Sequence, residues 1–505
     1  MLRTLKLLGI GLLLLLGILI GRTLLLPEPL LSQNIPVLPE GIDADRVARH
    51  LGEAVRFETI ARQVGASDSE KARSEAAFEA MRAWVVNTYP LLAANSRLEL
   101  IGNGSMLFTW QGSNPQLNPV LLMAHMDVVP IAPGEDDKWQ YPPFSGELAE
   151  GFVWGRGTID TKGSMIAMLE AAELLISQGF TPERSVLLSF GADEEIGGYH
   201  GNRVTAEHLQ RQGIKLDWVS DEGGAVTHDM VPGVSANVAM VGIAEKGSVT
   251  LKITSSAIGG HSSMPQPFDQ TAIGRLSLAL QQIGHSPFAA HLQGPTENFL
   301  ATIAPAQGFM SQLALANRWL FDPLIIRMLA ATPAGDAQLR TVIAPTIISG
   351  GNKENVLPPD ASAIVNFRIH PNDSIESVQK HVQAAVSDPQ VSIKRMPGAR
   401  EPSAVSALDG SAYQHLSQTI RDSFSNTLVA PNLTLGGTDS RYFLPLTQNV
   451  FRFAPIRMTP EDASRFHGIN ERIAIKDMGA AAAFYYIHKI VDDAVFKPHD
   501  YIKVS

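Results

Sequence analysis

Four short stretches of this 505-residue chain hold side chains suited to acid–base or metal chemistry. In "MAHMDVVP" (123–130) an apolar run from Val120 to Met123 gives way to His125 and Asp127, two positions apart. In extended backbone such residues share a side, so the spacing predicts that the Asp127 carboxylate reaches a ring nitrogen of His125 and fixes its tautomer. "WGRGTIDTKGS" (154–164) sets Asp160 in a glycine-flanked turn, where a carboxylate is costly unless it binds something. It is no phosphate loop, because Lys162 precedes Gly163 in the reverse of the order that loop requires. "GADEEIGG" (191–198) places Asp193, Glu194 and Glu195 after an apolar strand, and "DEGG" (221–224) offers Asp221 and Glu222 in the same way. The chain has no cysteine, which excludes thiolate sites, thiol nucleophiles and disulfides. Any metal must then sit on imidazole and carboxylate.

These residues need elements to hold them. "ADRVARHLGEAVRFETI" (44–60) reads as an amphipathic helix, "NPVLLMAH" as a buried strand and "KGSMIAMLEAAELLISQGF" (162–180) as a helix ending near Gly179. "SVLLSF" (185–190) and "LDWVSDEGG" (216–224) read as further strands. Strands alternating with helices predict an α/β fold with a mostly parallel sheet covered on both faces. In such sheets the ligand site lies at the carboxyl ends of the strands, where His125, the acids after Phe190 and Asp221 all fall. With 45% hydrophobic and 18% charged residues the chain is globular, and its length predicts more than one domain. A net charge of −10 with no basic stripe predicts no nucleic-acid partner.

The first forty residues differ in kind. Arg3 and Lys6 precede "LLGIGLLLLLGILIG" (7–21), and apolar character resumes after Arg22. Residues 1–26 are expected to be an uncleaved signal anchor, with a removed signal peptide as the alternative. The basic end would lie inside and the folded body outside the cytoplasm. Residues 27–41, with their spaced prolines, read as an extended tether.

Taken in order, "MAHMDVVP", "WGRGTIDTKGS", "DEEIGG", "DEGG", "GGHSSMP", "GGTDSRYF" and "RFHGINE" resemble the motif set of the aminoacylase and carboxypeptidase S family of di-zinc metallopeptidases. "AEKGS", "NRWLFDPLI" and "VNFRIHP" place the resemblance in the branch of carboxypeptidase S and the N-fatty-acyl-amino-acid synthase/hydrolases. The resemblance implies two Zn²⁺ per chain. One is held by His125, the other by His467; Asp160 bridges them, and Glu195 and Asp221 complete the sites, with Glu222 as the alternative to Asp221. It also implies Glu194 as general base, Asp127 as the residue that orients His125, and His261 as stabiliser of the developing oxyanion, supplied across a dimer interface in many members. Asn355 and Arg368 match substrate-holding positions, and Arg441 lies in the loop beside the metals. An arginine suits a substrate α-carboxylate because its planar fork donates two parallel hydrogen bonds.

The long interval before His467 predicts an insertion. Residues 42–246 and 396–505 are expected to form the catalytic domain, and 247–395 an inserted lid and dimerisation domain with the outline strand, helix, strand, helix. Residues 285–345 exceed a minimal lid, and "ANRWLFDPLIIRMLAAT" is apolar on more than one face. It reads as a buried helix or as a surface that takes an acyl chain or touches a membrane. The expected activity is hydrolysis of amide bonds next to a free α-carboxylate in N-acyl amino acids, with short peptides as the alternative substrates. A zinc-binding scaffold without catalysis would require a broken ligand or base, and none is broken here.

Overall fold

The computed structural model describes residues 2–33, 36–62 and 65–487. Its main sheet has ten strands. At the centre Val120–His125 lies parallel to Val186–Gly191 on one side and Val219–Asp221 on the other, and Val450–Arg452 runs parallel to Val219–Asp221. These strands are buried along their whole length, and the two longest are mostly apolar, as a sheet covered on both faces requires. The expected parallel sheet is therefore found at the core and gives way to mixed pairing outside it. Arg97–Ile101 and Ser105–Trp110 form an antiparallel hairpin whose turn glycines, Gly102 and Gly104, have φ of 60° and 97°.

Helices Ala44–Val55, Lys162–Ser177 and Ile475–Ile487 pack together over the sheet. The first is capped by Asp43, whose carboxylate accepts the amides of Asp45 and Arg46. The second is buried from Lys162 to Ala172, and the Lys162 ammonium donates to the carbonyls of Ala54 and Phe57 at 3.0 and 2.8 Å. Thus the segment after Asp160 is pinned to the first helix.

A second, antiparallel sheet runs in the order Val342–Gly350, Asp360–Ile369, Gly247–Ser256, Val391–Arg395. Strict alternation along Gly247–Ser256 and Asp360–Ile369 turns one face toward helices Ala272–Gly284 and Ile375–Ala385, with Val249, Leu251, Val365, Phe367, Leu276 and Val378 buried between. This core is separate from that of the main sheet. The middle of the segment expected as an insertion behaves differently: Leu292, Leu300, Ile303, Ile325 and Leu339 share a core with Val238, Leu428 and Ala430 of the main sheet.

At the amino end Leu2–Leu24 is a single helix. Within the segment expected as a tether, Ser32 is bonded to the body. Ser32 donates its amide to Thr427 O at 3.4 Å and its hydroxyl to Arg421 O, and accepts the Asn426 amide at 3.0 Å. Residues 488–505, which the sequence reading includes in the catalytic domain, lie outside the described residues.

Candidate active site

Three neighbouring strands deliver the acids and the first histidine. His125 ends one, Glu194 and Glu195 stand in the turn after the second, and Asp221 ends the third with Glu222 next. Asp160 comes from the loop before helix Lys162–Ser177, and His467 from a turn far along the chain, where its φ is 57°.

Asp160 sits between the two imidazoles. Its Oδ1 is 2.9 Å from His125 Nε2, and its Oδ2 is 2.6 Å from His467 Nε2. Glu195 Oε2 lies 3.3 Å from His467 Nε2, and Glu222 Oε2 lies 3.4 Å from His125 Nε2. Donor atoms of His125, Asp160 and Glu195 fall within 4.8 Å of one another, as do those of His125, Glu194 and Glu222. His125 and Asp160 are buried, whereas the His467 side chain is about half exposed, at 46%.

Two expectations change in detail. His125 Nδ1 donates to the Asp127 main-chain carbonyl at 2.8 Å, while the nearest Asp127 carboxylate oxygen is 3.5 Å away. That carboxylate instead accepts the amides of Glu194 and Glu195 at 3.1 and 3.0 Å. Asp127 therefore orients the imidazole through its backbone and fixes the two glutamates through its side chain. Of the adjacent acids, Glu222 faces His125, and Asp221 turns to the Ser440 amide at 2.8 Å. Successive residues leaving a strand point apart, so only one of the pair can face the histidine.

The other expected residues divide. Arg441 lies in the loop after strand Thr427–Thr434, donates to the Thr438 and Gly197 carbonyls, and is 3.8 Å from Asp439. Arg368 is exposed on the second sheet. His261 and Asn355 are neighbours on a small hairpin of that unit: Ser262 donates its amide to Asn355 O at 3.1 Å. His261 is exposed, with Nδ1 2.8 Å from Ser263 Oγ, and is not one of the donor groups gathered around His125.

The electrostatics follow from burying so many acids together. Burial, then the charge of Glu222, pushes Glu194 well above the usual carboxylate range. Burial raises Glu195 and Glu222 as well. Burial would also raise Asp160, but hydrogen bonds from His125 and His467 outweigh it and hold the group low. His467 is raised to about 10 by its bonds to Asp160 and Glu195. Two imidazole Nε2 atoms aimed at opposite oxygens of one carboxylate, with Glu195 Oε1 buried and unpaired beside them, form a donor set that fits divalent cations.

Sequence reading missed three groups. Glu471 is fully buried; its Oε1 accepts the amides of Gly157, Ile159 and Asp160, and its Oε2 pairs with Arg156 at 2.8 Å. Arg156 also donates to His467 O at 3.2 Å, so this pair ties the Asp160 loop to the His467 turn. The signal was opposite charges in two motifs already singled out, "WGRGTID" and "HGINE". Asp439, buried and bonded to Asn202 at 3.0 Å, is raised to about 7 chiefly by burial. Arg400 has its ionisation depressed by burial and then by Arg441, with Arg368 adding to the effect.

Residues 121–487 match the model of peptidase family M20/M25/M40. The chain is 37% identical over 500 residues to the N-fatty-acyl-amino acid synthase/hydrolase PM20D1 of Xenopus tropicalis, covering 97% of this chain and 95% of that one. It is also 37% identical over 442 residues to the probable carboxypeptidase S-like 2 of Dictyostelium discoideum, covering 87% and 84%. Among solved structures, the M20 family metallo-carboxypeptidase Sso-CP2 of Sulfolobus solfataricus superposes with a TM-score of 0.61 at 18% identity, covering 88% of this chain and 99% of that one. Human carnosine dipeptidase 1 gives 0.61 at 16% identity, covering 88% and 96%. With this fold and these relatives, the chain belongs to peptidase family M20/M25/M40 and is a hydrolase of amide bonds.

Proposed function

We propose that this protein hydrolyses N-acyl amino acids at the amide next to the free α-carboxylate, with two zinc ions as cofactors. The observation that carries the metal part is Asp160, whose two oxygens each meet a different imidazole. His125 and Glu222 would hold one ion, His467 and Glu195 the other, with Asp160 between; Asp221, the alternative to Glu222, supports the loop through Ser440. When bound, the ions supply Lewis acidity toward the scissile carbonyl and lower the pKa of water.

The protein's own groups do the rest. Glu194, with its amide fixed by Asp127 and its carboxyl raised by burial, suits taking a proton from the attacking water and returning it to the leaving amine. Arg400 is repelled by Arg441 and by Arg368, and an anion placed beside it relieves that repulsion. A substrate α-carboxylate is such an anion. Asn355 and His261 act from the lid, His261 on the developing oxyanion across a homodimer interface. The exposed edge strand Val342–Gly350, bearing Ile347 and Ile348, supports pairing with a second copy. Helix Leu2–Leu24, long and apolar enough to cross a membrane, is read as an anchor with the catalytic body on the extracytoplasmic side; the alternative is a secreted form released by cleavage.

The test is a panel of N-acyl amino acids, their carboxamides and dipeptides, assayed on the purified protein. Losing a charge-assisted hydrogen bond costs about 1.5–3 kcal/mol, so the free acid should exceed its carboxamide about 10- to 100-fold in kcat/KM. Equal rates for acid and amide would remove the carboxylate site. Faster cleavage of dipeptides would favour the carboxypeptidase reading, which the Dictyostelium relative's name supports.

A further inference from the structure

We propose that helices Phe309–Ala316 and Arg318–Leu329 form a second membrane contact, seated at the headgroup–acyl boundary of the bilayer beside helix Leu2–Leu24. The inference rests on the reading of that first helix as a membrane span.

The two short helices carry large apolar side chains that the body does not cover. Met310 is 77% exposed, Met328 67% and Trp319 59%, with Phe309, Leu320 and Leu324 also exposed. The first of these helices, FMSQLALA, holds no charged residue. In the second, the Arg318 guanidinium is spent on Glu297 at 2.7 Å and Asp322 at 3.0 Å. An apolar patch of this kind in water marks a surface that meets something else.

Its position says what that is. The junction of the two helices is bonded to the anchor: Asn317, fully buried, donates to Leu19 O at 3.0 Å, and Arg22 Nε donates to Ala316 O at 3.1 Å. Leu19 and Thr23 are buried there, whereas Leu7, Leu8, Leu12 and Leu13 along the same helix are exposed. The exposed apolar side chains of the anchor and those of Phe309–Leu329 thus stand on elements that touch, with Arg22 at the junction. The contact lies at the last turns of the anchor, near Arg22, which is where a span leaves the hydrocarbon and where tryptophan and arginine sit in membrane proteins. A pair of short helices at that depth lies in the interface plane rather than across it. The body would then be held against the bilayer at two points instead of swinging on one.

The chain has no cysteine, so single-cysteine variants report cleanly. Full-length Met310→Cys and Met328→Cys, each labelled with a polarity-sensitive dye, would be reconstituted in phosphatidylcholine vesicles beside a Lys380→Cys control on the lid helix Ile375–Ala385. The expected result is a shift to shorter wavelength and loss of most emission to lipids spin-labelled near the headgroup at positions 310 and 328, with no change at 380. Dyes at 310 and 328 that stay unquenched while the chain resists an alkaline wash would overturn the second contact and leave the anchor standing. Release of the chain by the wash would overturn both. A wavelength shift that follows the protein-to-lipid ratio without quenching would assign the patch to a second copy, and so overturn the proposal.

Discussion

Glu194 and Glu195 are adjacent, yet Glu195 pairs with His467 at 3.3 Å while Glu194 lies within 4.8 Å of His125, and the proposal gives them different work. Glu194→Gln keeps the shape of the side chain and removes the base. We expect turnover to fall about 100- to 10,000-fold with bound metal unchanged, as measured by kinetics and metal analysis on the same sample. A variant that also lost metal would make Glu194 a ligand instead. The Asp221–Glu222 pair is tested in the same way: Glu222→Gln should lower metal content, and Asp221→Asn should leave it intact while loosening the Ser440 loop. The reverse result would restore Asp221 as the ligand. At this scale the sequence was informative about residue types and less so about direction. The spacing of His125 and Asp127 puts both on one side, and the carboxylate lies 3.5 Å from the ring, but its bonds to two amides of a turn 67 residues away are nothing a local pattern reveals.

Among the elements, the buried strands and the helices Ala44–Val55 and Lys162–Ser177 were legible, because apolar runs and 3.6-residue periodicity are local properties. The strands Val342–Gly350 and Val391–Arg395 were not read: the first is largely exposed and the second is short and polar, so burial left no pattern in either. The end of strand Asp360–Ile369 yields a pH prediction. His370, just beyond it, is fully buried and stacks on His291 at 5.6 Å; burial first, then the charges of Lys246 and His291, pulls it down to about 4. The unfolded chain takes up that proton near 6.5, so between pH 6.5 and about 4 the unfolded state holds more protons and stability falls as pH falls. The full contribution is about 3 kcal/mol. His370→Asn should flatten the decline of the denaturation midpoint across this window. An unchanged slope would mean that other groups set the acid limit.

For the whole molecule, one long gap between motifs leads to the expectation of an insertion, and nothing in that gap marks which of its residues pack with the main sheet. Residues near Leu300 and Ile325 pack with the main sheet because their apolar faces match Leu428 and Ala430, a pairing across more than a hundred residues. The dimer expectation belongs to this scale too. Ile348→Lys places a charge on the exposed edge strand, which disfavours strand addition. We expect a monomer by light scattering and, if His261 acts across the interface, a kcat lower by about 100-fold or more, the usual cost of removing an oxyanion donor. A fully active monomer would confine the chemistry to one chain. Finally, the bond between the Asp160 loop and the His467 turn bears on how the chain is made. Ribosomes add roughly 5–20 residues per second, so roughly 17–70 s separate the emergence of His125 from that of His467. Through that interval Asp160, Glu194, Glu195 and Glu222 lack their second imidazole, and Arg156 lacks Glu471. The nascent chain therefore carries a negative half-site that closes only when its tail arrives, and ribosomes that stop short of residue 467 release chains in which the acids face one imidazole instead of two.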